Sequence, residues 1–415
     1  MPSDSQDHFE KLVNHTGANW MEFGPSSGDQ MIPIPRDFHA YETEYAAIRR
    51  RVGIMLLPQR GLLELRGADV RDLLHRMLTQ DICTMTSGQS RRALQLNQKG
   101  RILCDLYVHF GDSATWLEAD AFDLPALRSL LESRLFSEDV TIEDITRHQH
   151  QFALHGPAAT DLLQKMTRDN VDLAANSLGT HHIFAIDQNN VTVTRRDLCG
   201  VLGFCLIVPS TGAASLYEHL LEAVGFEPDA MADPMTEPHA AADLAERRRQ
   251  TLRGRPVGWL AFNTARIEAG TAIFHVDYGT DSLPAEAGSD LLAETVSFTK
   301  GCYLGQEIVA RMHNLGHPKR VLVGLHTDSN VLPVAGTAIL PLQQPDPPSD
   351  NDAVIGAITS STASPLLGDR PIAFATMKWG HHQEGTPVSF QAQGTRVQAT
   401  VCNRCFYRDL HKADD

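Results

Sequence analysis

The stretch that decides the fold is Lys300-Gly301-Cys302-Tyr303-Leu304-Gly305-Gln306-Glu307, which continues through Ile308, Val309, Ala310 and Arg311. It combines a thiol, a cation two residues before it, two glycines, an amide and a carboxylate. Glycine permits positive φ and close backbone approach, so Gly301 and Gly305 predict a tight, exposed loop. A cation beside Cys302 favours the thiolate, which is the form that acts as a nucleophile or metal ligand. The alternative is an ordinary turn with a buried, inert cysteine.

The pattern KGCYLGQEIVAR resembles the signature of the YgfZ-like family of folate-binding iron–sulfur assembly factors, relatives of the glycine-cleavage T-protein, an aminomethyltransferase. The resemblance runs from about Gly17 to Arg408. It implies an α+β fold, namely a T-protein-like cloverleaf of two interleaved α+β subdomains plus a C-terminal antiparallel β-barrel around a folate-sized hole. It also implies that Cys302 is the functional thiol, activated by Lys300. The loop residues that would position it are Gly301, Tyr303, Gly305, Gln306, Glu307 and Arg311, the last a possible partner of Glu307 at four residues' spacing.

Composition and charge narrow the class of protein. The 415 residues suffice for two or three domains, and 36 basic against 51 acidic side chains give a net charge of −15. Such a charge disfavours binding to nucleic acid or to anionic membranes. The sequence begins without a secretion signal and contains no membrane-spanning run. Its seven scattered cysteines do not form a disulfide framework, so the sequence predicts a reduced, cytoplasmic protein.

Strand and helix patterns predict the domain organisation. Two successive strand–helix–strand units indicate two related α+β subdomains, and six short strands with Pro/Gly-rich connections indicate a small barrel. A segment punctuated by Pro228, Pro234, Pro238 and Pro256 reads as a linker or insertion. The predicted boundaries are 1–148 for the first, folate-binding subdomain, 149–226 for the second, 227–256 for the linker, 257–319 for a returning segment with the RIEAG and KGCYLGQE motifs, and 320–415 for the barrel.

A second informative stretch runs from Leu96 to Leu106 and predicts a hairpin turn followed by a strand. Asp105 stands among apolar residues there, and a buried carboxylate needs a partner, so Asp105 is a candidate catalytic or folate-binding residue. The alternative is an edge-strand acid that faces water. The stretch is similar to a T-protein segment in which two glycines precede two adjacent aspartates. Arg101 stands here for the second glycine and Cys104 for the first aspartate, so only Asp105 of the acid pair remains.

The segment Ala265-Arg266-Ile267-Glu268-Ala269-Gly270 is recognisable in both families, and the resemblance implies that it lines the pterin cavity. Arg266 and Glu268 would point the same way from a strand and are candidate folate-binding residues, with a buried ion pair as the alternative. Phe262 could stack on a pterin or be a plain core aromatic. At two positions where T-proteins carry glutamates that hold the pterin, this chain has Val201 and Cys205, which cannot accept paired N–H donors as a carboxylate does.

The sequence does not predict a permanent metal site. Cys402 and Cys405 form a single CxxC whose members would face opposite sides of a strand. His313 and His317 are four apart, but Gly316 interrupts the helix that would bring them together.

The leading hypothesis is a tetrahydrofolate-binding accessory protein for iron–sulfur cluster assembly or repair. Its partners would be folate and iron–sulfur client or assembly proteins, with no nucleic acid and no membrane. The alternative is a folate-dependent aminomethyltransferase-like one-carbon transferase that uses Asp105. A third possibility is a folate-binding or scaffold protein in which Cys302 is only structural.

Overall fold

The computed structural model describes residues 4–25, 31–167, 173, 175–227, 253–327, 329–342 and 354–407. Most of the predicted linker at 227–256 lies outside the described residues. Within the described ranges, no helix combines the length and apolar character needed to cross a membrane.

The first part of the chain supplies elements to more than one sheet. In order these are α1 (Asp4–His15), β1 (Asn19–Phe23), β2 (Ile32–Asp37), α2 (Tyr41–Arg50) and β3 (Gly53–Leu56). Strands β1 and β2 pair with each other, whereas β3 pairs with the later strand Gln149–His155. Helix α2 buries Tyr45 and Ile48.

The first large sheet has five antiparallel strands with two helices. Its elements are β4 (Arg60–Arg66), α3 (Val70–Met77), β5 (Gln89–Leu96), β6 (Ile102–Phe110), β7 (Thr115–Asp120), α4 (Leu124–Glu132) and β8 (Thr141–Asp144). The strand order is β5-β6-β7-β4-β8. Leu73 and Leu74 of α3 and Leu127 of α4 share one core with Leu106 and Leu117 of the sheet, which fixes both helices on the same face.

The second large sheet mixes strands from three parts of the chain. Its further elements are β9 (Gln149–His155), α5 (Ala159–Thr167), β10 (His181–Ile186), β11 (Asn189–Arg195), β12 (Gly203–Pro209), α6 (Ala213–Val224) and β13 (Arg255–Pro256). The order is β10-β11-β12-β9-β3-β13, so strands before and after this subdomain complete its sheet. The two subdomains are therefore interleaved, as predicted.

The returning segment is helical: α7 (Trp259–Glu268), α8 (Ser289–Thr295) and α9 (Gln306–Leu315). The expectation that Arg266 and Glu268 leave a strand in one direction is wrong, because both lie in α7. Two residues apart on a helix, they point to different sides, and each finds its own partners.

The C-terminal domain is a closed six-stranded antiparallel barrel. Its strands are β14 (Arg320–Thr327), β15 (Ala338–Pro341), β16 (Gly356–Ser364), β17 (Arg370–Lys378), β18 (Pro387–Ala392) and β19 (Thr395–Cys402). Each corresponds to a strand expected from the alternating sequence. The predicted fold class, interleaved α+β subdomains with a C-terminal antiparallel barrel, is confirmed.

Candidate functional site

Lys300 anchors the KGCYLGQE loop to the end of α3. Its ammonium donates hydrogen bonds to the backbone carbonyl oxygens of His75, Leu78 and Gln80, the last at 3.0 Å. An ammonium has three hydrogens to donate, so these carbonyls occupy all of them. Burial lowers the pKa of Lys300 to about 8, and its Nζ lies 5.0 Å from the centre of the Tyr303 ring. The cation therefore serves the helix end, where backbone carbonyls favour positive charge.

The turn into α9 is fixed by Gly305 and Gln306. Gly305 has φ of +83°, and a Cβ on it would lie 2.5 Å from the carbonyl oxygen of Asn97, so only glycine fits there. The Gln306 side chain accepts the Tyr303 backbone N–H at 3.2 Å. A Cβ on Gly100 would in turn come within 2.9 Å of Ile308. The two stretches that the sequence singled out thus pack directly on each other.

Cys302 is exposed at the tip of this loop, beside an exposed Gly301 that has open space around it. Glu307 and Arg311 on α9 are also exposed, and in the described part of the chain no ion pair joins them. Of the two central cavities, one is lined in part by Tyr278 and the other in part by Arg92, and Cys302 lines neither of them. Solvent reaches the thiol directly.

Asp105 is buried and fully paired. Its carboxylate accepts two hydrogen bonds from the Arg92 guanidinium, at 3.0 and 2.8 Å, and another from the Tyr278 hydroxyl. Arg92 also contacts Glu294 at 3.0 Å. Arg92 lines one central cavity and Tyr278 lines the other, so Asp105 lies in the wall between them.

Arg266 and Glu268 are both wholly buried, in separate networks. Arg266 pairs with Asp277. Glu268 accepts hydrogen bonds from the Tyr45 hydroxyl, at 2.7 and 2.9 Å, and forms an ion pair with Arg49. These networks join α7 to its neighbours, as an internal ion pair would.

The C-terminal end of the RIEAG segment reaches one cavity, since Ala269, Gly270 and Thr271 line it. Phe262 lies in the core, where its ring stacks on His155 with centroids 5.6 Å apart.

The cavity next to Arg92 is lined by several guanidinium groups and has a volume of about 510 Å³. Its charged lining residues are Arg91, Arg92, Arg195, Arg196, Arg404, Asp197, Asp290 and Glu294. Five arginines thus face three carboxylates. Within the described residues, the buried Nε atoms of Arg196 and Arg404 have no hydrogen-bond acceptor. Buried donors without an acceptor are rare in proteins.

Arg196 is held in place by a buried carboxylate. Its two terminal guanidinium nitrogens donate to the Glu118 carboxylate, one of them at 2.8 Å. Its guanidinium carbon lies 3.6 Å from the centre of the Tyr107 ring. Burial alone would raise the pKa of Glu118, but Arg196 and Arg60 together hold it well below its usual range. The ionised carboxylate of Glu118 can only accept, so His109 Nε2 donates to it at 2.9 Å. The wall of the cavity is therefore rigid and charged.

Sequence reasoning missed this arginine cluster. The signal was two adjacent-arginine pairs, Arg91-Arg92 on β5 and Arg195-Arg196 at the end of β11, each on a strand of a different sheet. The fifth member, Arg404, follows the last strand of the barrel, and its neighbours in sequence do not indicate that it lines a cavity.

The chain matches two family models and several known proteins. The GCVT N-terminal domain matches residues 9–231, and the glycine cleavage T-protein C-terminal barrel domain matches residues 320–408. An aminomethyltransferase from Cutibacterium acnes is 27% identical over 383 residues, covering 90% of this chain and 92% of that protein. One from a Picosynechococcus species is 24% identical over 392 residues, covering 94% and 95%. The crystal structure of glycine cleavage system aminomethyltransferase T from Bartonella henselae has a TM-score of 0.75 at 22% identity and covers 96% of this chain and 97% of its own.

Proposed function

The chain belongs to the glycine cleavage T-protein family, and from that premise we propose that it binds a reduced folate of the tetrahydrofolate type in the arginine-lined cavity. The observation that carries the proposal is a cavity of about 510 Å³ whose lining sets five arginines against three carboxylates. The glutamate tail of a folate carries carboxylates and its pterin a carbonyl oxygen, and arginine binds both. The volume of about 510 Å³ also suits such a ligand, since small-molecule sites span about 300–1,000 Å³.

Other lining residues complement the remaining groups of a folate. The pterin's paired N–H donors need a carboxylate, and Glu294, whose side chain is 49% exposed, is placed on the lining to accept them. This would replace the contact that Val201 and Cys205, both buried, cannot make. A reduced folate would supply a carrier nitrogen for a one-carbon unit.

Arg404→Met tests the folate site directly. Arg404 pairs with the well-exposed Asp290 and donates to the carbonyl of Ala287 at 2.7 Å, so its loss removes little buried charge pairing. We expect tetrahydrofolate affinity, measured by titration calorimetry, to fall about tenfold or more, as for the loss of a charge-assisted hydrogen bond. The matched control is Arg396→Met, a barrel arginine bonded to Ser389 outside this lining. Equal affinities in the two variants would contradict the assignment.

The first candidate activity is an accessory role in iron–sulfur cluster assembly or repair, through Cys302. It is supported by the KGCYLGQE resemblance and by the exposure of the thiol. It is also supported by the contacts of Asp105, because both of its carboxylate oxygens already accept hydrogen bonds from Arg92 and one also accepts from Tyr278. Cys104, in the place of the other acid, is buried, and burial raises the pKa of its thiol.

The second candidate activity is folate-dependent aminomethyl transfer. It is supported by the names of the relatives, whose matches cover at least 90% of this chain and at least 92% of their own. The relatives favour this activity over the iron–sulfur role.

One pair of measurements separates the two activities. A strain carrying Cys302→Ala should lose activity of iron–sulfur enzymes while the purified variant still binds folate, if the first activity holds. Release of ammonia from an aminomethyl-lipoyl carrier by the purified wild type would support the second. Cys405→Ala, another exposed cysteine, is the control. If Cys302→Ala is silent in both assays and the wild type releases no ammonia, folate binding alone remains.

A further inference from the structure

We propose that His75, Asp81 and Cys83 form a binding site for a divalent metal ion of the zinc type beside the KGCYLGQE loop. Each offers one ligand atom, and the three atoms lie within 4.8 Å of one another. They come from the end of α3 and from the segment that follows it. The proposal does not depend on folate binding.

The spacing of the ligand atoms suits tetrahedral coordination. His75 Nδ1 and Asp81 Oδ1 are 3.4 Å apart. With metal–nitrogen and metal–oxygen bonds of about 2.1 Å, a tetrahedron has ligand–ligand edges of about 3.4 Å, and edges to sulfur are slightly longer. The Cys83 sulfur lies within 4.8 Å of the other two ligand atoms. A change of the Cys83 rotamer would bring it to bonding distance of a metal held by them.

The contacts that His75 and Asp81 make with each other are long. His75 Nδ1 is the acceptor for the backbone N–H of Cys83 at 3.4 Å. The same nitrogen lies 3.4 Å from the carboxylate of Asp81, which is longer than a strong charge-assisted hydrogen bond. A metal ion would therefore displace only weak contacts.

Access and charge also favour a cation. Cys83 is exposed, while the side chains of His75 and Asp81 are about one fifth exposed, at 19% and 22%. The ion therefore has an open entry path and one position left for water or another ligand. A thiolate and a carboxylate neutralise a dication, and binding would release the thiol proton of Cys83 to solvent. Two cations lie near the cluster, Arg71 and Lys300, and both donate hydrogen bonds to backbone carbonyl oxygens.

The mixture of sulfur, nitrogen and oxygen donors selects the class of metal. Thiolate and imidazole suit Zn²⁺, whereas Mg²⁺ and Ca²⁺ prefer oxygen ligands alone. A second group, Asp120, Asp123 and His275, also has suitable spacing. There, however, Asp120 is held by Arg60 at 2.8 Å and His275 contacts Asp123 at 2.9 Å. Those contacts are shorter than the ones in the first cluster, where His75 and Asp81 are 3.4 Å apart and Asp81 accepts the Thr84 N–H at 3.3 Å, so the first cluster gives up less when it binds a metal.

The site adjoins the loop that carries Cys302. The Lys300 ammonium donates to the carbonyl oxygens of His75 and Gln80. His75 is one of the proposed ligands, and Gln80 directly precedes another, Asp81. An ion bound there would fix the backbone to which the loop is anchored. The expectation of no permanent metal considered only the CxxC and the pair His313 and His317, and none of these residues belongs to this cluster.

Cobalt titration of the full-length protein tests the proposal, because Co²⁺ substitutes for Zn²⁺ and absorbs in the near ultraviolet when bound to thiolate. We expect one equivalent to produce this band, Zn²⁺ to displace it, and Cys83→Ser to abolish it. His75→Ala should weaken Co²⁺ affinity about tenfold or more, since even indirect metal contacts contribute that much. Cys405→Ser, at another exposed cysteine, should leave the band unchanged.

A thermal melt of each variant without metal separates loss of ligands from loss of folding. Cys83 is exposed, so Cys83→Ser should keep the melting temperature of the wild type. A band that survives Cys83→Ser, or that Cys302→Ser alone abolishes, would overturn the proposal. So would the absence of any saturable band in the folded wild type.

Discussion

Replacing Asp105 with asparagine asks whether this carboxylate serves the structure or the ligand. The side chain is 6% exposed and receives two hydrogen bonds from Arg92 and one from Tyr278. Asparagine keeps the shape but removes the charge, so Arg92 retains only the exposed Glu294 as a charged partner. Breaking a buried ion pair costs about 3–5 kcal/mol, and the partner that remains reduces this to about 2–3 kcal/mol.

Urea unfolding at pH 7 measures this loss as a lower midpoint with an unchanged slope. The companion variants are Arg92→Gln and the double variant. Residues in contact couple by about 0.5–3 kcal/mol, and for a pair with two hydrogen bonds we expect at least about 1.5 kcal/mol. Asp112→Asn, on the exposed turn after the same strand, is the control and should stay within about 0.5 kcal/mol of the wild type.

A different pair of results would refute this reasoning. If Asp105→Asn leaves the free energy of unfolding within about 0.5 kcal/mol of the wild type and abolishes tetrahydrofolate binding, the carboxylate faces the ligand and its pairing with Arg92 is incidental. Asp105 would then be available for the acid chemistry that aminomethyl transfer requires.

Three further predictions concern the loop, a buried histidine and the Glu268 network. Gly305→Ala should lower the free energy of unfolding by about 2 kcal/mol or more, because of positive φ and the clash with a backbone oxygen, whereas Gly301→Ala should change it by less than about 0.5 kcal/mol in the same urea melts. Burial lowers the pKa of His155 from 6.5 to about 4, so on acidification the unfolded chain takes up this proton before the folded protein does. The free energy of unfolding therefore has its full value above pH 6.5 and falls by about 3 kcal/mol towards pH 4. His155→Leu should remove this part of the pH dependence of the melts. Glu268→Gln should destabilise the protein by about 3 kcal/mol, because the buried Arg49 loses its counter-charge. If the folded variant keeps the folate affinity of the wild type, Glu268 does not contact the ligand directly.

The barrel was predictable strand by strand, and α7 was not. Strands such as Arg370–Lys378 can be recognised from alternating apolar and polar residues and from the Pro/Gly-rich connections beside them, which are local signals. Helix α7 buries most of its circumference, from Trp259 to Glu268. A helix that is buried on nearly all sides has no polar face, and the helical period that reveals a helix in a sequence is then weak. The local rule failed because the surroundings of α7 are set by distant parts of the chain.

The candidate folate site was predicted only in part for a related reason. The sequence indicated a cavity and the RIEAG segment, and the end of that segment does line a cavity. The charged residues of the wall, however, come from two sheets and from the chain after the barrel, and no short stretch contains Arg92, Arg196 and Arg404 together. Resemblance to a family transfers residue types at aligned positions, but burial and pairing depend on contacts between segments far apart in sequence.

The KGCYLGQE loop shows how structural demands can be separated from functional ones. Lys300 closes the end of α3, Gly305 permits the contact with Asn97, and Gln306 holds the Tyr303 backbone. Packing and hydrogen bonding therefore explain these positions without any ligand. They do not explain Cys302, which is exposed and makes no hydrogen bond found in the described part of the chain. A serine there would serve the fold equally well, so the case for a function of this loop rests on the chemistry of its sulfur. Cys302→Ser and Cys302→Ala should accordingly keep the wild-type melting temperature while differing from it in any thiol-dependent activity.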